Sequence, residues 1–387
     1  MDSRHGQVLM AVCNYFNPDN RVFRAADTLQ KEGYRVTVLA YHKPGLPETE
    51  VLGSGFHLRR IKTSLPLIKP GRIANFLMYQ LFKHKSRKTA RKLRPDFIHA
   101  HDYNALFLGK YGKKKYGSKV IYDNHEYFQD LRYLHRYPLP VRKLIAAYER
   151  RMLRKYVDRF IVVSPGIRDA YRSMYRGEIH IVRNIPDISE DATQEAHNNY
   201  DLRTFLNEQN QLQRKLFLYL GTNTQRGRGL DFLINLLGEI GSEYGLVVLG
   251  IKSDSEKETL LKKLKEQHLL ERSFIGYSQP ITVLKKLSRF FFMGVSLIEP
   301  IYFSYLHSLP NKLFEYLHMG LPVLSSDIPD QGELIRKYHC GVVVPFDLQV
   351  AKRKIMQFNP DPDAVENAIA DLSWDKESKI LLDIYEY

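Results

Sequence analysis

Residues 308–326 carry the groups in this sequence that are best suited to bind a phosphorylated ligand. Pro310 can enter the first turn of a helix, Lys312 lies near the start of that helix, and Gly320 predicts the turn that ends it. Free backbone N–H groups at a helix start can, together with a lysine, hold a phosphate. Glu315 lies one turn further on and can accept hydrogen bonds from the hydroxyls of a ribose.

Two further pairs of polar residues lie at the ends of strand-like runs in the first half of the chain. His99 and His101 are two positions apart, so their side chains share one face of a strand, and His101 is nearer the strand end. His125 and Glu126 follow the strand-like run over residues 120–123. Because ligands of parallel sheets bind outside the carboxyl ends of the strands, these residues predict a second polar site.

The elements that must position these residues alternate between strands and helices. Residues 7–14 are a short apolar run typical of a buried parallel strand, and residues 20–32 have apolar positions at helical spacing. Further strand-like runs cover residues 35–40, 97–100, 119–122, 159–163, 179–182, 216–220, 246–249, 273–275, 293–297, 322–325 and 341–344. We therefore predict an α/β fold with two Rossmann-like doubly wound domains that face each other across a cleft.

A polar stretch rich in Asn, Gln, Asp and Glu separates the two series of strands. We predict an N-terminal domain over residues 1–187, a linker over residues 188–210 and a C-terminal domain over residues 211–371. Apolar positions at helical spacing predict a last amphipathic helix over residues 372–387, and we expect it to pack back on the N-terminal domain.

The composition is that of a globular protein. Of the 387 residues 44% are hydrophobic and 12% are aromatic, which excludes a disordered chain. Cys13 and Cys340 are the two cysteines and cannot build a disulfide framework, which indicates a reducing compartment. No stretch approaches the about 18 apolar residues that a spanning helix needs, and the apolar run near the N-terminus is too short for a signal peptide. We expect a soluble cytoplasmic protein.

The basic charge of the chain is concentrated in one stretch. The formal net charge is +15, and residues 59–159 hold 26 Lys and Arg against 7 Asp and Glu, so the rest of the chain is slightly acidic. Apolar residues precede a run of cations within this stretch, namely Ile73, Phe76, Leu77, Leu81 and Phe82. The pattern predicts docking on an anionic membrane, and the alternative is a core-packing helix with a solvated outer face. No nucleic-acid-binding module accompanies the charge, so we expect no nucleic-acid partner.

Short motifs follow one another in a fixed order along nearly the whole chain. The longest is Pro310-Asn-Lys-Leu-Phe-Glu-Tyr with Gly320-Leu-Pro-Val. The others are Asp19-Asn-Arg-Val, Gly33-Tyr-Arg-Val-Thr-Val, Arg94-Pro-Asp-Phe-Ile-His-Ala-His-Asp, Tyr122-Asp-Asn-His-Glu, Val162-Val-Ser-Pro-Gly, Val182-Arg-Asn-Ile-Pro, Tyr219-Leu-Gly, Arg228-Gly-Leu-Asp, Phe274-Ile-Gly and Ser373-Trp-Asp. Together they resemble the retaining GT-B glycosyltransferases of the large family 4-like group, which includes sucrose synthases and bacterial polysaccharide and lipid glycosyltransferases.

The resemblance implies roles for several residues of the C-terminal domain, which would bind a nucleotide-sugar. Glu315 matches the second glutamate of the family's E-x7-E motif, which holds the ribose of the donor, and it is one of two implied catalytic residues. The first glutamate should lie eight positions earlier, where this sequence has His307. This departure bears on the choice of sugar. The other implied donor-binding residues are Asn311, Lys312, Gly276 and Arg228, with Arg226 as an alternative to Arg228 for the diphosphate.

The N-terminal domain would bind the acceptor. His101 matches the histidine that lies near the donor sugar and the acceptor hydroxyl, and it is the second implied catalytic residue, with His99 as the alternative. Asp19 and Arg21 come from a first loop that is glycine-rich in many relatives and contains no glycine here. The residues that would line the acceptor side or the cleft are Asn14, Arg21, His125, Glu126 and His307.

The resemblance implies transfer of a sugar, with retention of anomeric configuration, from a UDP- or GDP-sugar to a hydroxyl of a saccharide or lipid-linked acceptor, in envelope polysaccharide or glycolipid synthesis. Asp361-Pro-Asp363 has the D-x-D pattern of metal-dependent sugar transferases, but it lies in a proline-rich loop beyond the last strand. We therefore expect no metal and no other cofactor. The enzyme would act peripherally on the inner face of the membrane. The alternatives are a nucleotide-sugar epimerase or phosphorylase of the same fold, or an inactive scaffold, which His307 in place of glutamate would explain.

Overall fold

The computed structural model describes residues 5–17, 19–63, 71–130, 134–187, 200–221 and 227–386. The chain forms two compact units. The first contains the residues up to Arg183 and those from Glu377 onward, and the second is Asn184–Lys376. Each unit is an α/β domain built on a parallel sheet, which confirms the predicted fold class.

The first unit is built on an eight-stranded sheet with the order β3-β4-β2-β1-β5-β6-β7-β8. All neighbouring strands are parallel except β3 and β4, which pair as an antiparallel hairpin at one edge. The strands are β1 (Gln7–Ala11), β2 (Arg35–Tyr41), β3 (Thr49–Leu52), β4 (Phe56–Ile61), β5 (Phe97–His101), β6 (Lys119–Asn124), β7 (Arg159–Val162) and β8 (Ile179–Ile181). The helices are α1 (Asn20–Lys31), α2 (Arg72–Leu93), α3 (Leu106–Tyr116), α4 (Leu139–Tyr156) and α5 (Pro165–Tyr171).

The second unit is built on a six-stranded parallel sheet. Its helices are α6 (Tyr200–Gln211), α7 (Leu230–Ile240), α8 (Asp254–Glu266), α9 (Ile281–Lys286), α10 (Phe303–Leu306), α11 (Asn311–His318), α12 (Pro329–Tyr338), α13 (Leu348–Met356) and α14 (Pro362–Asp371). Its strands are β9 (Lys215–Leu220), β10 (Tyr244–Leu249), β11 (Ser273–Gly276), β12 (Phe291–Ser296), β13 (Val323–Ser326) and β14 (Gly341–Val344). The strand order is β11-β10-β9-β12-β13-β14, which is the order of the Rossmann fold.

The alternation of side chains along β9 explains how the second sheet is covered on both faces. Leu216 and Leu218 pack into one apolar cluster, and Phe217 and Tyr219 pack into another on the opposite face. Strands buried on both faces have near-continuous apolar sequences, and β9 and β10 have this character. The helices on each face shield the backbone ladder from water.

Two features differ from the sequence-based boundaries. The hairpin β3–β4 was not among the predicted strands. Residues 200–210, assigned to a linker, belong instead to helix α6, because Leu202 and Leu206 are buried in the core of the second unit. The last helix, α15 (Trp374–Tyr385), is assigned to the first unit from Glu377 onward, and within that unit the ring of Tyr385 packs against Phe97.

Among the described residues, no helix combines the length and the apolar character that crossing a bilayer requires.

Candidate active site

Each sheet has one position where the strand order reverses. In the first unit the reversal lies between β1 and β5, and in the second unit between β9 and β12. The helices that follow the two central strands then lie on opposite faces of the sheet, which leaves a crevice outside the carboxyl ends of the strands. Polar groups in the loops after these strands are therefore the first place to look for a ligand site.

In the first unit, Asp19 organises the loop after β1. Its carboxylate accepts hydrogen bonds from Asn14 Nδ2 at 2.6 Å and from Arg21 Nε at 3.2 Å, and it caps helix α1 through the backbone N–H of Val22. Burial opposes ionisation of this carboxyl, but Arg21 and Asn14 lower the pKa of Asp19 to about 2. The predicted cleft residues Asn14 and Arg21 are thus both bonded to one ionised carboxylate.

Four residues at the ends of β5 and β6 form what we call the histidine cluster: His99, His101, Asp123 and His125. His101 and Asp123 are paired in the sheet register. Asp123 Oδ2 lies 3.4 Å from His99 Nε2, 3.3 Å from His101 Nδ1 and 3.6 Å from His125 Nε2. One carboxylate oxygen therefore faces three imidazoles.

The charge state of the histidine cluster follows from its burial. Burial opposes the charged form of Asp123, but the imidazoles of His125, His101 and His99 hold the pKa of this carboxyl well below its ordinary value. Burial, and then the neighbouring His101, lowers the pKa of His99 to about 4, and burial lowers the pKa of His125 as well. At neutral pH the cluster thus holds an ionised Asp123 with neutral His99 and His125.

Several polar atoms of the histidine cluster are buried without a well-aligned hydrogen bond to any described residue. They are both ring nitrogens of His101, both ring nitrogens of His125, and Asp123 Oδ1. His99 differs, because its Nδ1 lies 2.8 Å from the hydroxyl oxygen of Tyr385. Buried polar groups are nearly always paired with protein, water or ligand, so the atoms of His101 and His125 are suited to meet a hydroxyl-bearing ligand.

His99, His101 and Asp123 are also, by residue type, a possible zinc-type ligand set, with ligand atoms within 4.8 Å of one another. The rings of His99 and His101, however, stack with an interplanar angle of 16°. In the structure a nitrogen of each ring faces Asp123 Oδ2, at 3.4 Å and 3.3 Å, so the two imidazoles meet the carboxylate directly.

Two carboxylates near the histidine cluster carried no recognisable signal in the sequence. Asp102 has a φ of 61°, an unfavourable backbone for an aspartate, and its Oδ1 accepts the backbone N–H of His125 at 3.2 Å. Glu149 is fully buried and accepts hydrogen bonds from Tyr171 and Gln129, each at 2.9 Å. Burial raises the pKa of Glu149 to about 7. Asp102 thus connects the ends of β5 and β6, and Glu149 connects α4 to α5.

In the second unit, Tyr316 fixes helix α11 at the end of β9. Its hydroxyl oxygen accepts the backbone N–H of Leu220 at 2.7 Å, and its buried ring packs on Gly294 of β12. A Cβ at position 294 would lie 2.0 Å from the ring, so only glycine allows this approach. Lys312 and Glu315, both on α11, are consequently held beside the carboxyl ends of the central strands.

Lys312 and Arg228 form a pair of cations, each of which packs on an aromatic ring. Lys312 Nζ lies 4.4 Å from the ring centroid of Tyr219, and the guanidinium of Arg228 lies 5.0 Å from that of Tyr305. Burial, and then the charge of Arg228, lowers the pKa of Lys312 to about 7, although Glu315 acts in the opposite direction. An anion bound here would relieve the repulsion between the two cations.

A cavity of about 310 Å³ lies beside this pair. We call it the donor cavity. Its lining combines strand ends with polar side chains, namely Leu220, Gly221, Leu249, Ser278, Gln279, Asn311, Lys312 and Glu315. The structure thus brings together Asn311, Lys312 and Glu315, while Ser278 and Gln279 are additions for which the sequence gave no motif.

The remaining predicted residues that the structure describes have other contacts. His307 Nδ1 is 2.8 Å from Oδ2 of the buried Asp330 on α12. Gly276 ends β11 and accepts the backbone N–H of Gly250 at 2.9 Å, outside the lining of the donor cavity. Glu126 is exposed beside His125, and Arg226 lies outside the described residues. Asp361 caps helix α14 by accepting the backbone N–H of Asp363 at 3.0 Å.

Comparison with family models gives two matches that follow each other along the chain. Residues 19–190 match the model described as Glycosyltransferase Family 4, and residues 203–371 match the model described as Glycosyl transferases group 1. No curated protein sequence matches the chain at a significant level.

Solved structures resemble the chain over nearly its full length. Sucrose-phosphate synthase from Thermosynechococcus elongatus gives a TM-score of 0.76 at 16% identity, with 98% of each chain covered. HepE of Anabaena in complex with UDP and glucose gives 0.67 at 14%, with 99% of each chain covered. The lipopolysaccharide outer core galactosyltransferase WaaB gives 0.66 at 13%, with 98% of each chain covered. At these identities the likeness establishes the fold.

The neutral, buried state of His99 predicts a pH-dependent contribution to stability. Its folded pKa of about 4 lies below the ordinary 6.5, so the stability that it provides is complete above pH 6.5 and declines as the pH falls toward 4. As the pH falls across this range, the free energy of unfolding of the parent should therefore decrease relative to that of His99→Gln, by up to about 1.4 kcal/mol per pH unit. Urea unfolding of both proteins at several pH values measures the difference.

Glu149 makes this paired comparison necessary, because its raised pKa acts with the opposite sign. Its contribution is complete below its ordinary pKa of 4.5 and declines as the pH rises through about 7. The exposed His57 provides the control, since His57→Gln removes an imidazole that is not buried. A His99→Gln difference that stays constant between pH 7 and pH 4 contradicts the assignment.

Proposed function

From the premise that this chain belongs to the GT-B glycosyltransferases, which its two family matches establish, we propose that it transfers a sugar from a nucleoside-diphosphate donor with retention of anomeric configuration. The donor is a UDP- or GDP-sugar and binds to the second unit. The acceptor is a hydroxyl of a saccharide or a lipid-linked saccharide and binds to the first unit. The reaction belongs to the synthesis of envelope polysaccharide or glycolipid.

The observation that carries the proposal is the pairing of Lys312 with Arg228 beside the donor cavity. Two cations held close together, one of them with a pKa lowered to about 7, match the diphosphate of a nucleotide-sugar. During transfer the diphosphate leaves with increased negative charge, and preorganised cations stabilise that charge in place of a metal ion. Glu315 accepts hydrogen bonds from the ribose hydroxyls, and Asn311 completes the polar lining.

The histidine cluster suits the acceptor side of the reaction. His101 Nδ1 lies 3.3 Å from Asp123 Oδ2, and its Nε2 is buried without an aligned hydrogen bond to a described residue, so Nε2 can accept the proton of a hydroxyl. Asp123 stays ionised beside it and favours transient protonation of the imidazole. His125 provides a second contact of the same kind.

The His307–Asp330 pair occupies the position at which the resemblance expects a glutamate. Asp330 fixes the imidazole of His307 through Nδ1 at 2.8 Å. We propose that His307 takes over contact with the donor sugar, which replaces a carboxylate by an imidazole and alters the sugar that is accepted. The structures of HepE with UDP and glucose, and the role of WaaB in lipopolysaccharide, support a nucleotide-sugar donor and an envelope acceptor.

The transferase proposal predicts release of nucleoside diphosphate that an acceptor stimulates. We expect this when UDP-, GDP- and ADP-sugars are each incubated with the protein and a membrane extract, in the presence of EDTA. Glu315→Gln should weaken donor binding about tenfold, because a charge-assisted hydrogen bond to the ribose is lost. Titration calorimetry with the active donor measures this affinity.

The exposed Glu266 on α8 is the matched control, and Glu266→Gln should leave donor affinity unchanged. Neither release nor nucleotide binding with any donor contradicts the transferase. Release that depends on inorganic phosphate indicates a phosphorylase, interconversion of the donor sugars indicates an epimerase, and donor binding without turnover indicates an inactive scaffold.

The lowered pKa of Lys312 predicts that donor affinity depends on pH. Lys312 must be protonated to bind a diphosphate, so affinity should be constant below pH 7 and decrease above it, up to about tenfold per pH unit, as the lysine loses its proton. In Lys312→Arg the side chain remains charged, and the decrease should disappear. Calorimetric titration from pH 6 to pH 8.5 measures both profiles, and an unchanged decrease in Lys312→Arg contradicts the assignment.

We also propose that the first unit docks on the inner face of an anionic membrane. Helices α2 and α4 end just before β5 and β7 begin, so both helices start at the carboxyl edge of the sheet, where the histidine cluster lies. The first two turns of these helices expose large apolar side chains, since Ile73 is 73% exposed and Leu144 is 71% exposed. Phe82, expected on this apolar side, is instead buried in the core of the unit, so the exposed face is narrower than the sequence indicated.

The membrane proposal predicts that apolar contacts add to the charge. Ile73→Ser combined with Leu144→Ser should lower partitioning onto anionic vesicles by about tenfold or more, because each buried side chain contributes on the order of 1.5 kcal/mol. Leu212, which is 61% exposed in the second unit, provides the control through Leu212→Ser. Vesicle sedimentation measures the effect, and equal binding of all three proteins contradicts the proposal.

A further inference from the structure

The first unit contains a cavity that is separate from the donor cavity and from the histidine cluster. It has a volume of about 400 Å³, within the range of small-molecule sites, and we call it the basic cavity. It lies between the hairpin β3–β4 and the second half of helix α2. Its charged lining is six cations and one carboxylate, namely Arg59, Arg60, Lys62, Lys85, Lys88, Lys92 and Glu48.

Half of these cations have partners within the protein. Arg60 is buried and donates to the backbone carbonyls of Tyr15 and Phe16, at 3.1 Å and 3.0 Å, while it also pairs with Glu50. Lys62 pairs with Glu48, and Lys85 Nζ donates to the carbonyl of Lys62 at 2.8 Å. These contacts explain the positions of Arg60, Lys62 and Lys85 without any ligand.

The other three cations, Arg59, Lys88 and Lys92, make no ion pair with any residue that the structure describes. Lys85, Lys88 and Lys92 are spaced by three and four residues, so they lie on one face of α2. That face is turned toward Arg59 across the cavity. Like charges at this spacing destabilise a helix, and a bound anion would remove that repulsion.

We propose that the basic cavity binds a phosphate group, as a phosphomonoester or a pyrophosphate. A doubly charged phosphate neutralises more of the three unpaired cations than one carboxylate does, and the planar guanidinium of Arg59 can form two parallel hydrogen bonds to its oxygens. Thr49 and Thr89 add hydroxyls to the lining. The ligand is either the headgroup of a membrane lipid or a soluble phosphate, and the two sources share this chemistry.

This proposal does not depend on the proposed transferase activity, and lysine footprinting of the full chain keeps the two apart. Acetylation of each lysine is followed by mass spectrometry with and without inorganic pyrophosphate. We expect slower acetylation of Lys88 and Lys92, while the exposed Lys114 and Lys115 of the same unit stay unchanged. Lys312 reports the donor cavity in the same spectra, so failure at one site is distinguishable from failure at the other.

Charge-reversal variants test whether the cavity or the overall field binds the anion. Lys88→Glu should raise the pyrophosphate concentration that gives half-maximal protection of Lys92 by about tenfold. Arg91 is exposed on the same helix but does not line the cavity. Arg91→Glu should therefore raise this concentration less than about twofold, through screened, long-range repulsion. Equal effects of the two variants, or protection of Lys114 and Lys115 as well, overturn the proposal in favour of diffuse charge.

Vesicles identify the source of the phosphate. Phosphatidylcholine vesicles are prepared with phosphatidic acid, which carries a phosphomonoester, or with phosphatidylglycerol at the same surface charge. Protection of Lys88 and Lys92 by phosphatidic acid alone supports a lipid headgroup as the ligand. Protection by pyrophosphate but by neither vesicle supports a soluble phosphate, and absence of protection in every arm overturns the site.

Discussion

The carboxyl edge of a parallel sheet is the constraint on which both candidate sites, one in each unit, depend. Every strand of such a sheet leaves at the same edge, so the loops that carry polar residues gather there, while the strands themselves are buried on both faces. Where strand order reverses, as between β1 and β5 or between β9 and β12, the flanking helices diverge and leave room for a ligand. The histidine cluster and the donor cavity occupy these edges. Even the exposed apolar turns of α2 and α4 follow from the same rule, because helices that connect parallel strands begin at the edge where the strands end.

The two units hold their charges in different ways. In the first unit two buried carboxylates are compensated by the protein itself: Asp19 by Arg21 and Asn14, and Asp123 by three imidazoles. In the second unit Lys312 and Arg228 are brought together and depress the basicity of the lysine. Taking a charge out of water without full compensation costs several kcal/mol, and a site that bears this cost is prepared for an anionic ligand. The first unit thus places the neutral imidazoles of His99 and His125 beside a compensated carboxylate, and the second places two cations beside the donor cavity.

Much of the fold and part of the site could be predicted from the sequence. Apolar runs that alternate with segments of helical spacing identify the central strands, because strands buried on both faces are apolar along nearly their whole length. The hairpin β3–β4 does not follow this rule, since β4 alternates the buried Phe56 and Leu58 with the exposed His57 and Arg59. Helix α6 was taken for a linker because its sequence is mostly polar and, of its apolar residues, Leu202 and Leu206 are the ones that are buried. The contacts of Asp123 and Tyr385 with His99 could not be predicted, because they join residues 24 and 286 positions apart in the sequence, which only the folded topology brings together.

The opposed use of charge also explains why the net charge alone is a poor guide to function. The basic stretch over residues 59–159 produces a broad field from mostly exposed side chains, which salt screens within about 8 to 10 Å. Such a field attracts any anionic surface and discriminates weakly. Lys312 and Arg228 are two charges in a confined setting, where the lower effective dielectric strengthens each contact and geometry selects the ligand. The basic cavity is intermediate between these two cases. Arg59, Lys88 and Lys92 are exposed and contribute to the broad field, and they also line one cavity together. Lysine and arginine side chains thus attract anions collectively where they are spread over the surface. They recognise a particular anion where the backbone brings them together in a cavity.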